Sequence, residues 1–231
     1  MSQRWLRASV AVLGLAGGVA LTGGGLAVAA TSPVHRIATV KPANFGLYDL
    51  TWYGTPFGKP TVYLADQSGI EAIDAKTFTD EGTFGQGLFV SFGHGAAACG
   101  PIGGGGPDGL LSLTVGGSNQ VWAGDGNSSV RVFTLTSPGS GSLAADISTG
   151  GTCRADELSY DPAQHLVLIT NPSETQNYVS LISVHADPTK DQVVAKIGYP
   201  HAVGGLEQSV YDPNDGNFYL NVVQSSPASD Q

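Results

Sequence analysis

The stretch Tyr160-Asp161-Pro162 precedes a short apolar run, Leu166-Val167-Leu168-Ile169. The same pattern returns at Tyr211-Asp212-Pro213, before Asn217-Phe218-Tyr219-Leu220. Asp-Pro followed by polar residues is turn chemistry, and the runs beside it have the apolar and aromatic content of β-strands. Each copy therefore predicts a β-hairpin, and the return of the pattern predicts a repeated all-β unit.

Two earlier segments repeat part of this pattern. Val62-Tyr63-Leu64-Ala65-Asp66 and Val121-Trp122-Ala123-Gly124-Asp125 each end in an aspartate before a polar turn that leads to another strand. Short strands that recur with turns at intervals of about 40 to 50 residues are typical of the blades of a β-propeller. Helical periodicity is missing after the N-terminal segment, so the sequence favours a strand-based repeat over a helical one.

The repeats divide the chain into predicted units at 45–84, 87–148, 150–199 and 201–231. Since the last unit holds only two strands, we expect 31–231 to form a propeller of about 3.5 four-stranded blades. Closed propellers have about four to eight blades, so we expect an amino-terminal part of a larger ring of about six to eight. The alternative is a small open or self-associating array of repeats.

Composition supports a folded β-rich chain and excludes several other classes. The 231 residues include 33 glycines, 41% of the residues are hydrophobic and 13% are charged. That hydrophobic share can bury a core, which argues against disorder. Glycine without a three-residue period excludes collagen, and the scarcity of charged residues argues against a coiled coil.

The first thirty residues are typical of an export signal. Arg4 and Arg7 precede the apolar segment 8–20, and Ala27-Val28-Ala29 offers the small-x-small site that signal peptidase cleaves. We therefore predict a signal peptide over 1–30 and a secreted or periplasmic protein. The alternative is a membrane anchor, although Gly23-Gly24-Gly25 makes the apolar run shorter than a spanning helix.

Acidic residues outnumber basic ones, 19 against 10, which gives a formal net charge of −9. A negative surface repels phosphate backbones and anionic lipids, so we expect neither nucleic acid nor a membrane surface as a partner. No later apolar run has the length of a membrane span. The expected partner is a small molecule or a protein.

Cys99 and Cys153 are the two cysteines of the chain. An even number of cysteines in an exported protein favours one disulfide bond between them, and the alternative is two unpaired thiols. The bond would tether the glycine-rich segment 93–109, which we interpret as a loop over the mouth of a channel.

Two stretches resemble a known class of proteins. Residues 154–162 and 205–213, which both end in Tyr-Asp-Pro, resemble the inner strands of bacterial exported propellers of the YVTN-repeat class. In fold terms these are grouped with the haem d1 propeller of nitrite reductase. Residues 121–126 are similar to another recurring strand of the class. The resemblance implies the fold and leaves the activity open, because the class includes many binding modules.

Aligning the repeats on Trp52, Tyr160 and Tyr211 predicts a cluster of polar side chains. The first strand of each propeller blade lines the central channel, so equivalent positions of successive blades converge. The predicted ligand-binding residues on the channel face are Asp49, Asp108, Arg154, Asp156, Glu157, Glu207 and Gln208.

Carboxylate oxygens are preferred ligands of Ca²⁺, so a divalent cation is the candidate cofactor, with Asp156, Glu157 and Glu207 as its candidate ligands. The alternative is a structural polar ring in which Arg154 pairs with Asp156 or Glu157.

No local motif assigns a reaction. The chain has no G-x-S-x-G, S-x-x-K or H-E-x-x-H motif and no Walker lysine loop. We therefore expect an exported, non-enzymatic propeller that binds a ligand or a partner protein at its channel face. The alternatives are a lactonase-like, metal-dependent hydrolase that uses the channel carboxylates, and a structural repeat module of a cell-surface assembly.

Overall fold

A computed structural model describes residues 39–40, 48–67, 69–90, 99 and 106–225, with the backbone alone at 48–50. The chain divides into two compact units, Met1–Val40 and Lys41–Gln231. Of the first unit only Thr39 and Val40 are described, so the predicted signal peptide 1–30 lies outside the described residues. All that follows concerns the second unit.

The described residues confirm the all-β prediction, with three four-stranded antiparallel sheets and one two-stranded hairpin. Sheet 1 contains β1 (Tyr48–Gly54), β2 (Thr61–Asp66), β3 (Gly69–Asp74) and β4 (Asp80–Phe84). Sheet 2 contains β5 (Leu110–Val115), β6 (Ser118–Asp125), β7 (Ser129–Ser137) and β8 (Ser140–Ser148). Sheet 3 contains β9 (Leu158–Asp161), β10 (Leu166–Asn171), β11 (Tyr178–Ser183) and β12 (Val193–Gly198). The terminal hairpin contains β13 (Leu206–Asp212) and β14 (Asn217–Val222).

Each sheet is a meander in which consecutive strands pair. The sheets lie within the predicted units 45–84, 87–148 and 150–199, and the hairpin lies within 201–231. Single 3-10 turns occur at Pro56–Gly58, between β1 and β2, and at Pro188–Lys190, between β11 and β12. Among the described residues, no helix has the length and apolar character that crossing a bilayer requires.

The repeated aspartate after the tyrosine closes each hairpin turn. Asp161 Oδ1 accepts hydrogen bonds from the backbone N–H of Ala163 (2.8 Å) and of Gln164 (3.2 Å). Asp212 Oδ1 accepts one from Asn214 N–H (2.8 Å). An aspartate that accepts backbone N–H groups from residues two or three positions later stabilises a tight turn, which is why the Tyr-Asp-Pro stretches end β9 and β13.

The sheets pack face to face in sequence order. Side chains from sheets 1 and 2 share one buried cluster, which includes Tyr63, Phe84 and Phe133. Side chains from sheets 2 and 3 share a second, centred on Trp122. Sheet 3 and the hairpin share a third, smaller one around Leu206. The period-2 alternation of each strand supplies both faces of sheet 2 with apolar side chains.

The first strands of consecutive sheets also lie beside one another: β1 contacts β5, β5 contacts β9, and β9 contacts β13. Four first strands from four separate units therefore lie in a row, each in contact with the next.

Candidate functional site

A β-bulge recurs at or just before the start of the first strands. Asp156 donates its N–H to Thr170 O (2.9 Å), while Thr170 donates to Glu157 O (3.1 Å), so two residues face one. Asp108 and Gly109 face Gly124 in the same way, with bonds of 3.0 Å. A bulge re-aims the side chains of the strand that carries it, and the bulged positions here carry the acidic residues Asp108, Asp156 and Glu157.

The hairpin and sheet 1 carry related irregularities. The register of β13 against β14 gains one residue between Leu206 and Ser209, a gap that holds Glu207 and Gln208. The register of β1 against β2 gains one residue between Tyr48 and Thr51. Counting from the bulges makes Asp108 the equivalent of Asp156, because each is the first of the two residues that face one partner.

The bulges bring part of the predicted polar cluster together. Gln208 Nε2 donates to Glu157 Oε1 at 3.2 Å, and Arg154 Nη2 lies 2.8 Å from Asp156 Oδ2. Asp108, Asp156 and Glu157 are buried. Burial of carboxylates requires such pairing, so the Arg154–Asp156 ion pair matches the structural alternative.

The remaining members of the predicted cluster are placed less directly. Glu207 is half-buried beside Gln208 on β13, and the side chain of Asp49 lies outside the described residues. In the part of the chain that the structure describes, no three His, Cys, Asp or Glu side chains are placed to share a metal ion. The set Asp156, Glu157 and Glu207, offered above as Ca²⁺ ligands, is therefore not assembled among these residues.

Two glycines let the segment before sheet 3 cross directly over the edge of sheet 2. A Cβ at Gly109 would stand 2.2 Å from the carbonyl oxygen of Asp156, and one at Gly124 would stand 2.2 Å from that of Ala155. Ala155 N–H also donates to Asp125 O at 3.0 Å. The chain carrying Asp156 and Glu157 is thus fixed between two sheets.

The predicted disulfide bond is confirmed, since Cys99 and Cys153 are joined with their Cα atoms 5.2 Å apart. Next to it, Glu174 Oε1 accepts the N–H groups of Thr152 (2.7 Å) and Cys153 (2.8 Å). Most of the glycine-rich segment 93–109 that the bond tethers lies outside the described residues, which include only Cys99 and 106–109 of it.

A cavity of ≈ 400 Å³ lies toward the other end of the first strands. We call it the aromatic cavity, and its lining residues are Trp52, Leu111, Ser112, Ser159, Tyr160, Pro162, Ser209, Val210, Tyr211 and Pro213. Trp52, Tyr160 and Tyr211 are the three residues on which the sequence repeats align, so one repeated position lines one cavity. A second hollow of ≈ 350 Å³ shares Trp52 and Ser112 with it.

Pairing within each sheet fixes where these aromatic side chains stand. Trp52 faces Tyr63 across β1 and β2, Tyr160 faces Val167 across β9 and β10, and Tyr211 faces Phe218 across β13 and β14. Counting from the bulge gives Ser112 as the equivalent residue of sheet 2. A serine where the other repeats carry an aromatic ring leaves room for the cavity.

The polar groups around the cavity are paired with each other. Ser159 Oγ lies 2.6 Å from Ser209 Oγ, and Tyr160 Oη lies 3.0 Å from His165 Nδ1. Burial, followed by the negative charge of Asp161, raises the pKa of Tyr160.

The pKa of Tyr211 is also raised. Desolvation is the largest cause, and a hydrogen bond to Asp161 and the charges of Asp161, Asp215 and Asp212 follow. Both phenols therefore stay neutral at physiological pH, and they lie in a negative field.

Sequence reasoning used the aromatic position as an alignment anchor and placed the site on the carboxylates. The sequence does contain the pattern that marks the cavity. An aromatic residue recurs at one strand position in the first, third and fourth units, and the second unit has Ser112 there. The pairing of Arg154 with Asp156 and the exact bulge register depend on backbone geometry.

Comparison with known protein families and with curated proteins finds no match to this chain. The resemblance to YVTN-repeat propellers therefore stays a prediction from the sequence motifs. A functional proposal depends on the geometry of the polar cluster and the aromatic cavity.

Proposed function

We propose that this chain is a binding module of the β-propeller type, exported and non-enzymatic, which holds a small organic ligand in the aromatic cavity. Three meander sheets packed face to face, with their first strands together, support an arrangement of blades around an axis. On this proposal the hairpin is the first half of a fourth blade in a ring of about six to eight.

The observation that carries the proposal is the aromatic cavity itself. Ligand sites are concave, mainly apolar and about 300–1,000 Å³ in volume, with a few polar groups for orientation. This cavity has that size and that lining, and it lies where first strands from four units converge. Equivalent residues of several repeats therefore supply one pocket, as propeller sites do.

Export is supported by the disulfide bond between Cys99 and Cys153, because such bonds persist in oxidising compartments. The polar cluster at the other end of the first strands takes a structural role in this proposal. Arg154 pairs with Asp156 within the segment before β9, and the bond from Gln208 to Glu157 ties sheet 3 to the hairpin.

The test is a thermal-shift screen of the full chain against a fragment library spanning sugars, carboxylates, amines and aromatic compounds. Each hit is then titrated against Ser112→Tyr, which supplies the ring that the other repeats have at this position and fills the cavity. We expect hits whose affinity falls at least about 10-fold in this variant, since about 1.4 kcal/mol of lost contact gives that factor.

The matched control is Tyr219→Ala, which removes an aromatic side chain from the solvent face of the hairpin. Hits should bind this variant as they bind the wild type. A screen whose hits all bind Ser112→Tyr unchanged, or that yields no hit, would overturn the proposed site. If Ser112→Tyr fails to fold, Tyr160→Ala provides the same readout by removing part of the lining.

A further inference from the structure

We infer that the aromatic cavity selects an organic cation, of the quaternary ammonium type, over neutral and anionic ligands. This inference rests on the proposed function and names its ligand class. It follows from three properties of the lining: aromatic rings, internally paired hydroxyls and surrounding carboxylates.

The aromatic rings supply the attraction. Trp52, Tyr160 and Tyr211 come from three different sheets and line one cavity. The face of an aromatic ring carries partial negative charge, and an alkylammonium over it is attracted by about 0.5–2 kcal/mol, most strongly by tryptophan. Methyl groups of such a cation also fit the apolar surface that Pro162 and Pro213 provide.

The hydroxyl groups argue against a sugar or another polyol. Ser159 and Ser209 are bonded to each other at 2.6 Å, and Tyr160 is bonded to His165 at 3.0 Å. A polyol entering the cavity would give up hydrogen bonds to water and find these groups already occupied. A quaternary ammonium has no N–H to satisfy, so it avoids that cost.

The surrounding charges set the sign. Asp161 is buried, and its negative charge acts on both Tyr160 and Tyr211. Asp212 and Asp215 add to the field at Tyr211.

Among the described residues, the lining contains no lysine or arginine, and the whole chain is acidic, with a net charge of −9. A negative potential around such a lining attracts cations and repels carboxylates.

The test compares choline with its neutral isostere 3,3-dimethylbutan-1-ol, in which carbon replaces the nitrogen. The two molecules have the same shape and hydroxyl group and differ in charge. We expect isothermal titration of the full chain to show choline binding at least about 10-fold more tightly, in line with the strength of cation–π attraction. Raising the salt concentration should weaken choline binding and leave the alcohol unchanged.

Two variants test whether the rings are responsible. Trp52→Leu should lose choline affinity by about 10-fold, whereas Trp52→Phe, which keeps an aromatic face, should lose less. Tyr219→Leu, on the exposed face of the hairpin, is the matched control and should bind like the wild type. If Trp52→Leu unfolds, Tyr160→Leu against Tyr160→Phe gives the same comparison.

Equal binding of choline and the alcohol, no binding of choline, or full choline affinity in both Trp52→Leu and Tyr160→Leu would each overturn the inference. These results are distinguishable from failure of the proposed function. A neutral or anionic fragment that binds the wild type and is lost in Ser112→Tyr would retain the cavity as a ligand site and refute only its preference for cations.

Discussion

Sheet 2 and the terminal hairpin are both antiparallel meanders, yet they differ in how much of their surface is covered. Sheet 2 packs against sheet 1 on one face and sheet 3 on the other, and Trp122 is 0% exposed in its centre. Within the part of the chain that the structure describes, the hairpin packs against sheet 3 alone, and on its other face Val210 and Tyr219 are 59% and 52% exposed.

The difference shows that the repeat specifies a local meander while its neighbours supply the stability. An isolated two-stranded hairpin is marginal in water, and a covered hydrophobic face is what stabilises it. Sheet 2 has two such faces and the hairpin has one. Equivalent substitutions in the two regions should therefore have very different effects.

The largest contrast is expected between Trp122→Ala and Tyr219→Ala. Trp122 is fully buried and its Nε1 donates to Gln120 Oε1 at 2.9 Å, so its loss leaves a cavity that costs about 3–5 kcal/mol. Tyr219 is half exposed, and its loss should cost less than about 1 kcal/mol. Urea denaturation followed by circular dichroism measures both, and similar losses would mean that the hairpin face is covered in solution.

Replacing both cysteines with alanine is the next largest change. The bond closes a loop with a sequence separation of 54, and loss of such a link should lower the free energy of unfolding by about 2–4 kcal/mol. Relative to the wild type, hydrogen exchange should become faster in the loop around Thr152, with little change in β14. A larger acceleration in β14 than in this loop would contradict the placement of the bond next to sheets 2 and 3.

A smaller contrast concerns two asparagines. Asn171 Nδ2, buried where sheets 2 and 3 meet, donates to Thr149 Oγ1 (2.9 Å) and Ser128 Oγ (3.1 Å). Asn171→Ala should cost about 1–3 kcal/mol, because buried hydroxyls lose a partner. Asn221→Ala, at an exposed position of β14, should stay within about 0.5 kcal/mol. Equal effects in thermal unfolding would remove the contrast.

The smallest expected effect is electrostatic and local to the hairpin. Tyr219 Oη donates to Asp215 Oδ2 at 2.5 Å, and this bond, together with the N–H of Asn217, lowers the pKa of Asp215 below its ordinary 3.8. A lowered pKa means that the bond contributes stability above the unfolded pKa and loses it as the pH falls through the folded one. Tyr219→Phe should move the pKa of Asp215 up toward 3.8, as carbon-detected NMR titration can show.

Asp187 is the internal control for that titration. Its pKa is also lowered, by hydrogen bonds from the hydroxyl and N–H of Thr189, and neither bond involves the hairpin. The pKa of Asp187 should be the same in wild type and Tyr219→Phe. A parallel shift of both carboxylates would show that the substitution had perturbed the whole chain.

Much of the fold could be predicted from sequence because turn chemistry is local. Asp161 and Asp212 close their turns through backbone donors two or three residues away, so a short motif marks each hairpin. The disulfide followed from cysteine number and compartment. The packing of sheet 2 between two others could not be read in this way, since it depends on faces brought together from distant parts of the chain.

The candidate site was predicted less well, for a physical reason. Acidic residues in a sequence indicate candidate cation ligands, but Asp156 becomes buried and paired with Arg154 once the chain folds. The aromatic cavity exists because Ser112 is small where Trp52, Tyr160 and Tyr211 are large, and such a difference gains meaning only when equivalent strands lie side by side.

The crossing at Gly109 and Gly124 has a consequence for the tolerance of this chain to mutation. A methyl group at either position would collide with a carbonyl oxygen of Ala155 or Asp156. The backbone there would have to retreat and carry Glu157 away from Gln208, although neither glycine touches those side chains. A single added carbon on sheet 2 would thus weaken the contact between sheet 3 and the hairpin. A substitution in the second unit would therefore destabilise the fourth.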